Sequence, residues 1–396
     1  MDVSIQIFSG NFKNKAVSYE IVEKKLTHVL SRMPVTKVIM GWALDKKLYQ
    51  RTAEFLAKRN VDFYLWFPVF SETGALEELA PLADIKGQKL ECRSDEEFSF
   101  CCPNPQNVEK ILGIYEREFS SIYFNGVFLD RIRYPSFANS HGSDGVLSCF
   151  CQGCRAIYKK ENFNIDNIKA ALTVPAADAF EIKEYHGNGK YIFKNSALSV
   201  LLRLKAKVIY NSLERICGFF REKEYGIGFD VFAPFLSPFV GQELVSLSGL
   251  CDFIKPMMYR LTNAPAGLPF ETESLLRQTG NADTQKQNFY KLFGINTALR
   301  AETKCEKSML EKKSFNLEFA AKELKGFSAA SACPVYAGIE INRVKVFAET
   351  DPCYIEETVK AYAQTGIRGL ALSWNLLDMP EENLAKTADM IANLNT

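Results

Sequence analysis

The stretch Gly126-Val127-Phe128-Leu129-Asp130-Arg131-Ile132-Arg133-Tyr134-Pro135 runs from an apolar strand pattern straight into Asp-Arg-x-Arg and stops at a proline. A strand that ends on a carboxylate delivers the charge to a rim, where chemistry is done, rather than into a core. Two more acids stand in comparable places. Asp230 follows Gly228-Phe229, and Glu340 lies late in Gly338-Ile339-Glu340-Ile341 among apolar neighbours. A carboxyl group so buried must be paired or protonated, and either condition suits catalysis. Two carboxyl groups across a cleft are what glycosidic cleavage needs: one protonates the leaving oxygen while the other attacks carbon or activates water. The expected main pair is Asp130 with Glu340, and Asp230 is the third carboxylate, able to replace Glu340 as the partner. Plainer roles exist for each: Asp130 can pair with Arg131 or Arg133, Glu340 with Arg343, and Asp230 can hold a loop.

Aromatic and cationic residues collect at similar positions. Trp42, Trp66 and Trp374, the only tryptophans, all fall at or just beyond strand-like runs, where flat faces could stack on sugar rings. In Lys255-Pro256-Met257-Met258-Tyr259, Lys255 and Tyr259 share one strand face, so an inward lysine would favour the ionised form of a neighbouring carboxylate. Arg131 and Arg133 would act on Asp130 in the same sense, which favours a nucleophilic or electrostatic role for Asp130 and leaves Glu340 as the proton donor. Glu72 reads as a solvated loop residue. None of the three histidines, His28, His141 and His186, stands in a metal or triad pattern, and there is no phosphate-binding glycine loop or nucleophile elbow. Kinase, NTPase and serine-hydrolase chemistries are excluded on that ground.

A separate constellation is Cys149-Phe150-Cys151-Gln152-Gly153-Cys154. Three thiols within six residues can turn towards one ion, and Cys101 or Cys102 could supply a fourth; the set Cys102, Cys149, Cys151 and Cys154 would make a closed structural zinc site. No organic cofactor is expected.

The elements that must position these residues are eight short runs rich in β-branched and aromatic residues, each followed by a helical pattern: Ser4–Phe8, Lys37–Gly41, Asp62–Trp66, Gly126–Leu129, Gly226–Phe229, Asp252–Met257, Val335–Ile341 and Gly369–Ser373. Strand and helix alternating eight times predict an α/β fold, a parallel (β/α)8 TIM barrel. Asn104-Pro105 and Asp351-Pro352 read as helix caps followed by a first-turn proline, and a long helix is expected over about Ser196 to Phe220. Residues 68–104, 131–194 and 259–333 form long connections, which belong at the C-terminal face of such a barrel. No repeat or low-complexity linker divides the 396 residues, so one domain is expected, with 131–194 as an insertion after strand four that carries the cysteine cluster.

Lys and Arg together number 48 against 47 for Asp and Glu, so the chain has no basic excess with which to bind nucleic acid. No apolar run has the length of a membrane span. The first strand pattern begins almost at Met1 and the cysteines number an odd 11, so a cytoplasmic protein is expected rather than a secreted disulfide scaffold.

Asp130 with Arg133-Tyr134-Pro135 resembles an element of glycoside-hydrolase-like TIM-barrel proteins of bacteria, largely uncharacterised, in which strand four ends in Asp followed by Arg-Tyr-Pro or Arg-Phe-Pro. Phe229-Asp230-Val231-Phe232-Ala233-Pro234, Val240-Gly241-Gln242 and Ile254-Lys255-Pro256-Met257-Met258-Tyr259 are similar to recurring stretches of the same group. The resemblance covers most of the barrel. It implies that Asp130 is a catalytic acid or nucleophile and that the substrate is a carbohydrate. The leading expectation is therefore a glycosidase-type hydrolase. The alternatives are a non-catalytic carbohydrate-binding or assembly protein and, third, a metal-dependent hydrolase with carboxylate ligands.

Overall fold

The computed structural model describes residues 1–12, 16–91, 98–279, 289–293 and 314–395. Eight parallel strands close into a barrel: β1 (Asp2–Phe8), β2 (Val35–Gly41), β3 (Asp62–Pro68), β4 (Gly126–Asp130), β5 (Gly226–Phe232), β6 (Phe253–Met257), β7 (Tyr336–Glu340) and β8 (Gly369–Ser373). Each strand neighbours the next in sequence, and β8 closes on β1 through pairs such as Asp2 with Gly369. The strand positions match the eight runs read from the sequence. Both faces of a barrel strand are covered, one by the lumen and one by helices, which explains why these runs are almost uninterruptedly apolar.

Capping residues start the outer helices as anticipated. Asn104 accepts the amide of Asn107 at 2.8 Å and opens the helix Pro105–Glu118; Asp351 accepts the amide of Tyr354 at 2.8 Å and opens Pro352–Ala363. The long helix spans Ser196–Arg221 and buries one face of leucine, valine and isoleucine against the barrel. Among the described residues no helix is long and apolar enough to cross a membrane.

Alternation along the strands sorts side chains between lumen and helix layer. The lumen holds an aromatic layer in which Phe253 packs edge-on against Tyr64 and Tyr336, with ring centroids 5.4 Å apart in both pairs, and stacks on Phe128 at 5.8 Å. Gln6, Asp130, Asp230, Lys255 and Ser373 follow in phase on their strands, one step nearer the C-terminal ends. A polar layer therefore rests on an aromatic one. Gly338 makes room for it: a Cβ there would stand 2.5 Å from Cε of Lys255.

The three long connections leave from C-terminal strand ends, and those after β3 and β6 lie partly outside the described residues. The segment after β4 contains the short helices Gly142–Val146, Gln152–Lys160 and Ile165–Leu172 and an antiparallel hairpin, Ile182–Tyr185 with Tyr191–Phe193.

Candidate active site

Register places three of the expected residues side by side. β4 and β5 pair through Leu129 and Phe229, so Asp130 and Asp230 occupy the next neighbouring positions, and Asp230 pairs directly with Lys255 on β6. All three belong to the lumen face. Asp130 is 6 % exposed, Asp230 3 % and Lys255 wholly buried.

Asp130 is held from several directions. Its Oδ2 accepts the indole N–H of Trp66 at 2.9 Å, and its Oδ1 accepts the amide of Arg131 at 2.5 Å. Arg131 adds its guanidinium at 3.9 Å and has a left-handed backbone, φ 54°. Above this group Trp42 packs edge-on against Trp66 at 5.9 Å, with Phe8 and Phe12 against Trp42. Phe98 lies 3.6 Å from the Arg131 guanidinium. Indole and phenyl rings thus roof the carboxylate.

Asp230 belongs to a compact network. Its Oδ2 accepts from Lys255 Nζ at 2.9 Å and from Gln6 Nε2 at 3.4 Å. Lys255 also donates to Gln6 Oε1 at 2.9 Å and to the Tyr259 hydroxyl at 2.6 Å, while Ser373 donates to Gln6 Oε1 at 2.7 Å. The other oxygen, Oδ1, is buried with no hydrogen-bond partner among the described residues. Burial pushes the Asp230 carboxyl up to about 7; the charge of Lys255 opposes the rise and that of Asp130 adds to it. This site therefore contains an acid able to hold a proton near neutrality beside a second carboxylate.

Glu340 stands apart from this arrangement. It is wholly buried, and Oε1 accepts the amides of Leu261 at 2.5 Å and Thr262 at 3.3 Å. It fastens the segment leaving β6 onto the end of β7. Burial raises its carboxyl to about 7, against the lowering effect of the Leu261 amide, its own amide, the Tyr354 hydroxyl and the charge of Arg260. Asp230 is thus the carboxylate on the strand next to Asp130, while one oxygen of Glu340 is taken by a loop backbone.

Other expected residues divide. Trp42, Trp66, Arg131, Lys255 and Tyr259 are assembled around the two aspartates. Arg133 feels the charges of both aspartates but spends its hydrogen bonds elsewhere: it is buried, donates to Tyr134 O at 2.9 Å and Asn139 Oδ1 at 3.2 Å, and lies over the rings of Phe232 and Phe100. Burial, with Arg131 nearby, lowers its pKa to about 9. Trp374 is half-buried against the main core, not within the Trp42–Trp66 cluster. Glu72 is a partly exposed loop residue that accepts from Ser71 at 2.8 Å and from the amide of Ser99 at 3.2 Å. His141 lines a cleft of about 200 Å³ beside the mouth with Phe98, Phe100 and Asn139.

Gln6 and Ser373 were not singled out from sequence. A signal was present, since Ser4 and Gln6 interrupt an apolar run with the period of one strand face, but polar residues within β1 have no chemistry until β5 and β6 stand opposite.

The four cysteines come together. Sγ of Cys102 lies 3.2 Å from that of Cys151, 3.4 Å from Cys154 and 3.8 Å from Cys149, and all four sulfurs lie within 4.8 Å of one another. The thiol set is one that can hold a metal ion.

No family model matches the chain, and no curated protein matches it. Solved structures do. The glycoside hydrolase domain of PgaB (BpsB) from Bordetella bronchiseptica is 12% identical with a TM-score of 0.55, over 99% of this chain and 97% of that one. The Group IV chitinase of Ostrinia furnacalis scores 0.48 at 9% identity, over 100% of this chain and 99% of that one. A class V chitinase from Pseudomonas fluorescens Pf-5 scores 0.47, at 8% identity over 98% and 99%. The likeness to the PgaB domain establishes a shared barrel fold; the two lower scores add nothing to that.

Proposed function

We propose that the protein is a glycoside hydrolase acting on a carbohydrate or glycoconjugate through Asp130 and Asp230. The observation that carries this is the pair of lumen-facing aspartates on adjacent strands in unlike surroundings. Asp230 has the raised pKa of a proton donor, and Asp130, which accepts from Trp66 and the Arg131 amide, is suited to attack carbon or to stabilise positive charge. The barrel shared with the PgaB glycoside hydrolase domain supports the reading. Trp42 and Trp66 would bound the sugar, and Lys255 and Tyr259 would set the charge beneath it.

Screening the purified chain against glycans tests the proposal. With a substrate in hand, Asp130→Asn and Asp230→Asn should each lose about 100-fold or more in kcat. Retention of full activity by both variants would overturn the assignment. A second reading rests on how little of either aspartate is exposed. A non-catalytic carbohydrate-binding or assembly protein would bind glycans at this face without turnover, and product analysis separates the two.

The proposal includes a structural zinc ion on the four cysteines, away from the sugar, and no organic cofactor. It also places the protein in the cytoplasm. Eight of the nine described cysteines stand as thiols, which supports a reducing compartment, whereas Cys353 is disulfide-bonded, which counts against one. Fractionation of cells making the full chain tests this, and recovery outside the cytoplasm would contradict it.

A further inference from the structure

We infer that Cys102, Cys149, Cys151 and Cys154 form a closed tetrathiolate zinc centre that clamps the loop after β3 to the insertion after β4, and that this clamp positions Arg131 beside Asp130. The clamp bears on the candidate site, but neither the metal nor the positioning depends on the reaction proposed there.

The sulfur geometry fits the ion. At a Zn–S distance of ~2.3 Å, four sulfurs at the corners of a tetrahedron lie roughly 3.8 Å apart. The shortest contacts, 3.2 and 3.4 Å, are tighter than that, one is 3.8 Å, and all fall within 4.8 Å, so small side-chain movements suffice. Three of the four side chains are buried and Cys151 is half-buried, which leaves no open position for water or substrate.

The surroundings are those of thiolates. The amide of Ala83 donates to Cys149 Sγ at 3.2 Å, and the amide of Cys154 points to Cys151 Sγ at 3.5 Å, closing the Cys-x-x-Cys turn. Cys151 caps the helix Gln152–Lys160, whose N-terminus favours negative charge. Lys205 is wholly buried close by. Its ammonium donates to Val146 O and lies 4.4 Å from the ring centroid of Tyr134, whose hydroxyl is 3.8 Å from Cys154 Sγ. With no carboxylate paired to it among the described residues, this buried lysine is costly alone. Beside a zinc ion bearing four thiolates, with a net charge of −2 after four thiol protons have left, it is a countercharge.

A short relay joins this centre to the aspartates. Cys102 adjoins Cys101, whose amide donates to Phe70 O at 3.0 Å; the Phe70 amide donates to Arg131 O at 3.2 Å, and the Val69 amide to Asp130 O at 2.8 Å. Phe98 on the same loop stacks on the Arg131 guanidinium. Arg131 is thus a positioning residue whose left-handed backbone is fixed by the loop that the metal would fasten.

Metal analysis of the full chain, purified under reducing conditions without added metal, tests the centre. One zinc per chain is expected, released in step with modification of four thiols by a mercurial, and cobalt should replace it with the absorption bands of a tetrahedral thiolate complex. Less than about a tenth of an equivalent of zinc, both as purified and after reconstitution with zinc, would refute the centre. So would two disulfides in freshly reduced protein, or iron in its place. The clamp is read from the indole N–H resonance of Trp66, assigned with Trp66→Phe, because that proton is bonded to Asp130. Removing zinc from wild-type protein whose circular dichroism is unchanged should shift or broaden this signal, and Cys151→Ser should reproduce the effect. A Trp66 signal unmoved after complete zinc removal would refute the clamp while leaving the metal site in place. No substrate enters these measurements, so they stand whether or not glycan hydrolysis is found.

Discussion

Lys255 and Asp230 show how one residue sets the chemistry of another. Burial alone would leave the Asp230 carboxyl strongly protonated; the ammonium at 2.9 Å and the Gln6 amide bring it back towards the range in which an acid can both give and recover a proton. Lys255→Met keeps most of the stem volume and removes the charge, so the pKa of Asp230 should rise further above about 7. Carbon-13 titration of the labelled aspartate carboxyl would measure it, with no need of a substrate, and an unchanged or lower value would show that Lys255 does not act on this group. Asp130 differs because its partners are an indole N–H and a backbone amide, donors that stay in place through any proton transfer. That contrast was partly legible from sequence. A strand ending on Asp130 announced a rim carboxylate, and the shared face of Lys255 and Tyr259 announced an inward lysine. Which acid would partner Asp130 was not legible: Glu340 and Asp230 have similar flanks, and only the path of the segment after β6 reveals that Glu340 is already bonded to two amides.

At the scale of elements, the strands were readable and the connections were not. Eight apolar runs of strand length, each with a helix behind it, admit few architectures, and caps such as Asn104 and Asp351 act within one turn of themselves. The segment after β6 has no such local code. It turns where it does because Arg260 donates to Phe315 O at 3.0 Å and to Thr358 Oγ1 at 2.8 Å, while Glu340 takes the next two amides. These partners lie tens of residues away in sequence. Glu340→Ala strips both amides of their acceptor and should destabilise the protein by about 2–4 kcal/mol, whereas Glu340→Gln keeps a carbonyl oxygen there and should cost little. Denaturant unfolding of the two variants checks this; equal losses would mean that the charge, not the acceptor, holds the segment. Gly338 makes a second case on the same strand, where the missing Cβ is what lets Lys255 occupy the lumen. Gly338→Ala should cost about 1–3 kcal/mol in the same assay.

Over the whole molecule, four of the carboxyl groups taken inside the fold are displaced in the same direction. Asp230 and Glu340 are both pushed up to about 7, and Glu271 and Glu323 are also raised, each chiefly by burial. A carboxyl with a higher pKa folded than unfolded binds its proton more tightly in the native state. Between the two pKa values the native state therefore carries more protons, and stability falls as pH rises through that window. For Glu340 the window runs from its ordinary 4.5 to about 7, and the full displacement corresponds to on the order of 3 kcal/mol. Carboxyls shifted the other way, such as Glu356, Glu382 and Glu20, are solvent-exposed ion pairs whose effect salt screens. The protein should accordingly be most stable on the acid side of neutrality, near about pH 5, and lose stability steadily towards about pH 8. Thermal unfolding across that range checks the trend, and Glu340→Gln isolates its cause. The neutral amide keeps the acceptor and cannot titrate, so its profile should be flatter than wild type and should rise relative to it with pH. Parallel profiles for the two proteins would mean that Glu340 is ionised in the fold, stabilised by Arg260 and its two amides more than burial penalises it.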